Sequence, residues 1–148
     1  MTHNVKDLQI TFNTLIPKIS AFLIEKNIVT NNSELTYSVA QYGRYYIKNI
    51  RGLCIASWTL VDLPGCCGVI ISTGADVHYD CRGKGLGTFL NRIRIELARL
   101  LGYGQILCTV TSENINQIKI LEKNGWTRTS IFKNPRTSHI IYTYIYNL

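Results

Sequence analysis

The chain has 148 residues, 46% hydrophobic and 17% charged, which suits one domain with a hydrophobic core and excludes a disordered chain. Sixteen Lys and Arg against nine Asp and Glu give a net charge of +7, which favours anionic partners such as phosphates or nucleic acid. Five cysteines without C-x-x-C spacing and three scattered histidines argue against a disulfide framework or a metal site. No stretch of about 18 uninterrupted apolar residues is present. We therefore expect a single cytoplasmic domain over residues 1–148, with no membrane contact.

The N-terminal region predicts a helix followed by a loop. Apolar residues recur at helical spacing over residues 14–26. Thr14 could cap this helix, and Pro17 would be tolerated in its first turn. Residues 27–34 are polar and predict a loop that leads into the next element.

The next part of the chain predicts antiparallel strands. Aromatic and β-branched residues over 35–62, broken near Gly43 and Gly52, indicate two or three of them. A further strand is predicted over residues 66–77. Within it, Gly74 indicates a bulge or a close backbone approach.

The second half of the chain alternates helices and strands. Leucines and isoleucines recur at steps of three and four from Leu86, which predicts an amphipathic helix that ends near Leu101. A mixed sheet with helices on its faces is the simplest packing of all these elements. The remaining predictions are a strand over 105–111, a helix over 114–123, and strands over 126–132 and 139–146.

A glycine-rich turn joins the strand over 66–77 to the helix that begins at Leu86. Residues 82–88 read Arg-Gly-Lys-Gly-Leu-Gly-Thr. The first amides of a helix have no partner within it, and glycine lets a ligand approach the backbone closely. Such a turn should hold phosphate or pyrophosphate. The Walker pattern is absent, and the glycine spacing and late position do not fit a dinucleotide fingerprint.

Two motifs carry a resemblance to a known family. Arg82, Gly85 and Gly87 fill the Arg/Gln-x-x-Gly-x-Gly/Ala pattern, which resembles the acyl-CoA loop of the GNAT (Gcn5-related) N-acyltransferase family. Residues 114–126 are similar to the family's later Asn…Leu-Tyr-Glu-Lys-x-Gly-Phe segment. The motifs occur in the family's order and cover about half of the chain. The resemblance implies an α/β (α+β) domain with a mixed, mostly antiparallel sheet, helices on both faces and a splayed strand pair that holds CoA.

The same resemblance implies acetyl-CoA as co-substrate, without a metal. The pantetheine arm is expected to pair with the backbone around Ala75 and Val77 and to contact Asn114. Simpler explanations remain open: an ordinary strand-to-helix turn, solvated surface cations, and Asn114 as a plain N-cap. The expected pyrophosphate contacts are the amides of Gly83, Lys84, Gly85, Gly87 and Thr88, with added charge from Arg82 or Lys84.

The catalytic groups depart from the family pattern. Leu121 stands where many members have a tyrosine acid, and Thr109 stands where some have a glutamate. The strand that leads into the turn offers Asp76 and His78 as candidate bases, since His titrates near neutral pH. A salt bridge for Asp76 and a structural role for His78 are the alternatives. Further candidates are Ser112 and Glu113.

The predicted function is acetyl transfer from CoA to a primary amine by direct attack. The acceptor could be a small molecule, a protein N-terminus or a lysine. Basic residues interleave with aromatic ones over 37–58, so an amino group of a nucleic-acid base is also open. The alternatives are a GNAT-like CoA-binding module without activity and a nucleic-acid-binding protein. Both a monomer and a homodimer are compatible with the sequence.

Overall fold

The computed structural model describes residues 3–31 and 34–148. Two residues of the predicted loop over 27–34, residues 32 and 33, lie outside the described residues. A 3-10 turn, Tyr79–Cys81, follows the fourth strand. In chain order the elements are α1 (Val5–Glu25), β1 (Leu35–Val39), β2 (Arg44–Asn49), β3 (Cys54–Asp62), β4 (Val69–Val77), α2 (Leu86–Leu100), β5 (Gln105–Thr111), α3 (Ile115–Lys123), β6 (Thr127–Lys133) and β7 (Ile140–Asn147).

Helix α1 is longer than predicted. It begins at Val5 rather than at residue 14, because its buried apolar stripe extends about two turns further toward the N-terminus. Asn4, not Thr14, is the N-cap, and its Oδ1 accepts a hydrogen bond from the third amide of the helix. Pro17 consequently lies in the helix interior and not in the first turn. The carbonyl of Asn13, which loses its helical partner to the proline, belongs to an exposed residue and can bind water.

The seven strands form one mixed sheet in the order β1-β2-β3-β4-β5-β7-β6. Only β4 and β5 pair in parallel, and the other neighbours are antiparallel. The three strands between Leu35 and Asp62 confirm the prediction from residues 35–62. The breaks between them contain Gly43 and Gly52, whose φ angles are 79° and 82°.

Strands β4 and β5 separate soon after they meet. Their parallel ladder joins Val69–Ile71 to Gln105–Leu107 and ends there. Both strands continue beyond this point, β4 to Val77 and β5 to Thr111. The prediction of a splayed strand pair is therefore confirmed, and the splay lies directly before the glycine turn.

A β-bulge shapes β4 at the splay. Residues 73–76 of β4 lie opposite residues 57–59 of β3, so β4 carries one extra residue there. Gly74 has a φ of 58° within this bulge. Arg44 of β2 holds it in place: Nη1 donates to the Gly74 carbonyl at 2.7 Å, and Nη2 donates to the Ser57 hydroxyl at 2.6 Å. The interpretation of Gly74 as a bulge position is confirmed.

All three helices cover the same face of the sheet. Helix α1 contacts β1, and its Phe12 ring reaches Trp58 of β3, where the two rings meet edge to face with centroids 5.8 Å apart. It contacts α2 through the stacked rings of Phe22 and Phe89, 4.0 Å apart, and α2 in turn contacts α3. Helices that touch one another in this way cannot lie on opposite faces, so the expectation of helices on both faces differs from the structure. The buried stripes of α1 and α2 are both satisfied by the same apolar side of the sheet.

The opposite side of the sheet, which we call the open face, carries alternate side chains of the same strands. These side chains are largely polar, and no helix in the described residues packs over them. Nor does any described helix combine the length and the apolar character needed to cross a bilayer. Polar members of the open face are Arg44, Tyr46 and Lys48 of β2, Ser57 and Thr59 of β3, Thr73 and Asp76 of β4, and Thr109 of β5.

Candidate functional site

The glycine turn, residues 82–87, presents the N-terminus of α2 to solvent. Gly83 and Gly85 have φ angles of 79° and 81°, which side chains rarely adopt, and open space surrounds both. Gly85 is the N-cap and contributes no side-chain hydrogen bond, and the first turn of α2 contains no acidic residue. The first helical bond runs from the Phe89 amide to the Gly85 carbonyl. Within the described residues, this leaves three amides without hydrogen-bond partners, those of Leu86, Gly87 and Thr88.

The two cations of the turn behave differently. Lys84 is exposed, so its ammonium group is accessible to an anion. Arg82 folds back on β4: its Nε donates to the Val77 carbonyl at 2.9 Å. Its Nη2 also lies 3.6 Å from the carboxylate of Asp76. Asp76 is thus paired with an arginine, which is the structural alternative that the sequence left open for it.

Gly87 allows α2 and α3 to approach each other. A Cβ on Gly87 would lie 3.2 Å from Cδ1 of Ile120, which is closer than ordinary van der Waals contact. The Thr88 carbonyl accepts a hydrogen bond from Asn124 Nδ2 at 3.3 Å, which ties the same helix turn to the end of α3. Gly87 therefore has a packing role as well as an available amide.

A cleft of about 250 Å³ occupies the splay between β4 and β5, and we call it the splay cleft. It connects the two faces of the sheet, because Cys108 points to the helix side while Thr73 and Thr109 belong to the open face. Ala75 lines this cleft and Val77 lies outside its lining, and the expected pairing of their backbone with a pantetheine arm stays a prediction. The lining residues are Ser72, Thr73, Gly74, Ala75, Asn91, Arg94, Cys108, Thr109, Val110, Thr111, Asn114, Gln117 and Trp126.

Asn114 is the N-cap that the sequence allowed, and its expected contact with the CoA arm stays a prediction. It lines the splay cleft. It is also the N-cap of α3, because its Oδ1 accepts a hydrogen bond from the Gln117 amide at 3.2 Å. The capping bond leaves the amide nitrogen of the side chain available on the cleft side.

Two buried polar residues of α2 line the helix side of the cleft. Asn91 is 1% exposed; its Oδ1 accepts hydrogen bonds from Trp126 Nε1 at 2.9 Å and from Asn124 Nδ2 at 3.1 Å. Its own Nδ2 has no partner. Arg94 is 5% exposed, and its Nε also has no partner. Burial lowers the pKa of the Arg94 guanidinium to about 10, so it is still a cation at neutral pH.

Comparison with known proteins identifies the fold. No protein-family model matches the sequence, and no curated protein matches it significantly. Among solved structures, an acetyltransferase of Elizabethkingia anophelis with acetyl-CoA bound aligns with a TM-score of 0.63 at 17% identity, over 71% of this chain and 75% of that one. The IAA acetyltransferase of Bacillus cereus aligns with a TM-score of 0.60 at 18% identity, over 86% and 91%. The chain has the GNAT fold.

A third GNAT-like neighbour is a Bacillus subtilis acetyltransferase in complex with CoA, with a TM-score of 0.60, 19% identity, and 71% and 76% of the two chains aligned. Against several longer acetyltransferases, the alignment spans 65–67% of their length. At such identities, the similarity establishes the GNAT fold and leaves the activity to be argued from this chain's own residues.

The structure locates the two residues that depart from the GNAT pattern, Leu121 and Thr109. Leu121 of α3 is fully buried and belongs to the hydrophobic core. Thr109 lines the splay cleft from the open face. Neither residue can act as a general acid or base at neutral pH. The nearby Cys108 is a protonated thiol, because burial raises its pKa to about 12 despite the opposing effect of Arg94.

The structure does not bring the two candidate bases together. Asp76 belongs to the open face, while His78 follows the end of β4 and is mostly buried. The His78 Nδ1 accepts a hydrogen bond from the Asp80 amide at 3.2 Å, and its ring packs against Tyr79 with centroids 4.3 Å apart. Neither residue lines the splay cleft. Their assignment as bases stays a prediction.

Sequence reasoning missed Asn91 and Arg94. The helical period did contain a signal: Arg94 lies four residues after Leu90 and four before Ala98, both of which are buried. A charged residue at such an interior position is rarely fully buried unless something pairs with it. The pattern could therefore have identified Arg94 as an inward-pointing cation.

Proposed function

We propose that the protein is an acetyl-CoA-dependent N-acyltransferase that moves an acetyl group to a primary amine by direct attack. The observation that carries the proposal is that helix α2 takes part in two features. Its uncapped N-terminus offers free amides for a pyrophosphate, and further along the same helix Asn91 and Arg94 line the splay cleft, which is proposed to accept a long, mostly neutral arm. A phosphate-bearing carrier with such an arm is the chemical description of acyl-CoA.

The chain's own groups have separate tasks in this proposal. Amides of the glycine turn and the Lys84 ammonium bind the phosphates. The backbone of β4 beyond Ile71 has lost its β5 partner, so it can hydrogen-bond the amide groups of the arm. Positioning the thioester and the amine in one cleft supplies much of the rate enhancement that direct transfer needs.

The amine is proposed to approach from the open face, to which the splay cleft opens through Thr73 and Thr109. Asp76 lies on that face and is the proposed proton acceptor. Lys48 Nζ lies 4.7 Å above the ring of Tyr46 on the same face. This basic and aromatic surface favours an acceptor that carries a phosphate or an aromatic ring, and an amino group of a nucleic-acid base belongs to this class.

The decisive first experiment is isothermal titration of acetyl-CoA and CoA into the wild type and Gly85→Glu. We expect micromolar binding in the wild type and none in Gly85→Glu, because a carboxylate would fill and charge the phosphate turn. Gly52→Glu is the matched control, since Gly52 has nearly the same φ, 82°, and equally open surroundings. Equal binding by the two glutamate variants would contradict the loop assignment.

Turnover is then tested by following thiol release from acetyl-CoA in the presence of a panel of amines, including nucleosides, DNA and peptides. Release that depends on one amine class identifies the acceptor. The acceptor's own acetylated product, detected by mass spectrometry, separates transfer from hydrolysis of the thioester.

A CoA-binding module without transferase activity is the second candidate. The buried Leu121 and the neutral Thr109 favour it, because they stand where many GNAT proteins carry acid and base groups. Tight CoA binding with no thiol release for any amine class would support this candidate over the enzyme.

A nucleic-acid-binding role of the basic chain is tested separately. Filter binding of a DNA oligonucleotide across a salt series should show affinity falling steeply with salt if phosphates are the ligands. Binding that is absent, or flat in salt, removes this candidate.

A further inference from the structure

Arg94 of α2 lines the splay cleft and is almost fully buried. The ladder of β4 and β5 ends at Leu107, and the next residue, Cys108, lines the cleft. The positive charge of the Arg94 guanidinium acts on the Cys108 thiol, where it partly opposes the rise in the thiol pKa that burial causes. Arg94 also lies eight residues after Leu86, which is about 12 Å along α2 from the phosphate turn. A ligand that binds with its phosphates at the turn would therefore bring the far end of its arm to Arg94.

The charge of Arg94 is not compensated by its surroundings. Its neighbours in the cleft lining come from β4, β5, α2, α3 and Trp126, and they include no Asp or Glu. Cys108 is the one other titratable side chain among them. A buried charge without a partner is strongly unfavourable. Such a charge in a cleft points to a ligand that supplies the opposite charge at this place.

The proposed reaction generates one negative charge at the end of the arm. The amine lone pair attacks the thioester carbonyl carbon and forms a C–N bond. The C–S bond then breaks, and its electron pair goes to sulfur. The proton from the amine passes through the base to solvent, so acetyl-CoA and amine yield amide, CoA thiolate and one proton. The tyrosine that many GNAT proteins use as the acid is replaced by Leu121, and the described lining of the splay cleft contains no other tyrosine to protonate that thiolate.

We propose that Arg94 is a catalytic residue that stabilises the CoA thiolate as it leaves, in place of a proton-donating acid. The inference rests on the proposed function. A preformed cation that faces a developing charge in a buried site needs little reorganisation, and such groups are typically worth about 10²–10³ in rate. A guanidinium is also suited to this role because it stays charged when buried.

The test uses the affinity and the protonation of the ligand, so it does not require the acceptor to be known. CoA, acetyl-CoA and desulfo-CoA are titrated calorimetrically into the wild type at pH 7 in two buffers of different ionisation enthalpy. The free thiol is mostly protonated at this pH, with a pKa of about 8.5 for an ordinary thiol. We expect CoA binding to release close to one proton more than acetyl-CoA or desulfo-CoA binding, because Arg94 holds the thiolate.

Arg94→Met should remove this extra proton release while acetyl-CoA affinity changes by less than about threefold. Arg94→Lys keeps the charge and should retain part of the release. Arg99→Met is the matched control, since it makes the same change at an exposed position of the same helix and should leave release unchanged. If Arg94→Met does not fold, Arg94→Gln, which is uncharged but keeps a polar side chain with hydrogen-bond donors, replaces it.

The outcomes separate the two levels of the proposal. Wild-type protein that binds neither CoA nor acetyl-CoA would overturn the proposed function and this role with it. Binding with equal proton release in wild type and Arg94→Met would leave the proposed function intact and overturn the role of Arg94. Succinyl-CoA binding tenfold tighter than acetyl-CoA, lost in Arg94→Met, would also overturn it by making Arg94 a receptor for a carboxylate on the acyl group.

Discussion

Arg44 illustrates how one side chain fixes the shape of the splay cleft. It reaches from β2 across the open face and donates to the Gly74 carbonyl, to Ser57 and, at 3.0 Å, to the Thr59 hydroxyl. A Cβ on Gly74 would lie 2.6 Å from Arg44 Nη1. The glycine and the arginine thus depend on each other, and together they hold the bulge at the mouth of the cleft.

The first prediction tests this dependence with a double-mutant cycle. Gly74→Ala should cost about 2–3 kcal/mol of unfolding free energy in the wild type, because the new methyl displaces the guanidinium and leaves its partners unsatisfied. In Arg44→Met those hydrogen bonds are already absent, so Gly74→Ala should cost only about 1 kcal/mol. Urea unfolding of the four proteins measures the coupling. Gly52→Ala in the same two backgrounds is the control, and coupling of similar size there would refute the specific link.

The residues of the candidate site differ in how readily the sequence identifies them. Gly83 and Gly85 are predictable because a positive φ before a helix is a local requirement that only glycine meets easily. Asn114 is predictable as a cap because its side chain can accept a hydrogen bond from the first turn of the next helix. Arg94 is not, because its burial depends on the sheet beneath α2 and on the strands' separation, and both arise from contacts distant in sequence.

At the scale of elements, α1 tolerates an interior proline at a measurable cost. Pro17 cannot donate to the Asn13 carbonyl, and it is exposed, so no packing contact of the ring offsets the lost bond. The helix persists because its apolar face is anchored through Phe12 and Phe22 and because Lys18 forms an ion pair with Glu96 of α2 at 2.9 Å. Tertiary contacts outweigh local propensity in this helix.

The second prediction follows from that cost. Pro17→Ala should raise the unfolding free energy by about 1–3 kcal/mol, since it restores the hydrogen bond to Asn13 and introduces the best helix former. Pro64→Ala, in the turn between β3 and β4, should instead lower it by about 0.4–1 kcal/mol by loosening the unfolded chain. Chemical denaturation of both variants measures the difference. A loss of stability in Pro17→Ala would contradict the interior position of the proline.

The boundaries of helices and strands were predictable where nearby turn and cap residues mark them. The strand over 105–111 agrees with β5, and the helix over 114–123 agrees with α3 and its N-cap, because turns and caps flank both. The start of α1 and the one-sided placement of the helices were not predictable. Both depend on which apolar helix faces pack on the same side of the folded sheet. The spacing of apolar residues along the sequence does not contain that information.

At the scale of the whole molecule, buried thiols and phenols make the fold sensitive to alkali. Burial raises the pKa of Cys108 to about 12, well above that of an exposed thiol, and raises the pKa of Tyr37 to about 12. The unfolded chain therefore loses these protons at lower pH than the native state. The stability they contribute is complete below about pH 8 and is lost as the pH rises toward 12.

The third prediction concerns the thiol alone, which ionises in the unfolded chain before the tyrosines do. Between pH 8 and pH 10 the wild type should lose about 2 kcal/mol more unfolding free energy than Cys108→Ala, because the variant has no proton to lose at this site. Denaturation curves at the two pH values provide the measurement. Cys66→Ala, at an exposed position, should keep the wild-type pH dependence. The same dependence in Cys108→Ala would show that this thiol does not control the alkaline limit.

The splay cleft opens to both faces of the sheet, and this has a consequence for enzyme kinetics. For the proposed reaction, the acyl donor and the amine enter the cleft from opposite faces of the sheet, so neither substrate blocks the path of the other. Binding can then follow either order, initial-rate plots should intersect, and excess of one substrate should not inhibit by blocking the other. A covalent conjugate that joins the CoA sulfur to the acceptor nitrogen would have to pass through the splay cleft, from one face of the sheet to the other. Such a conjugate would combine both affinities in one molecule and would make a selective inhibitor of this protein.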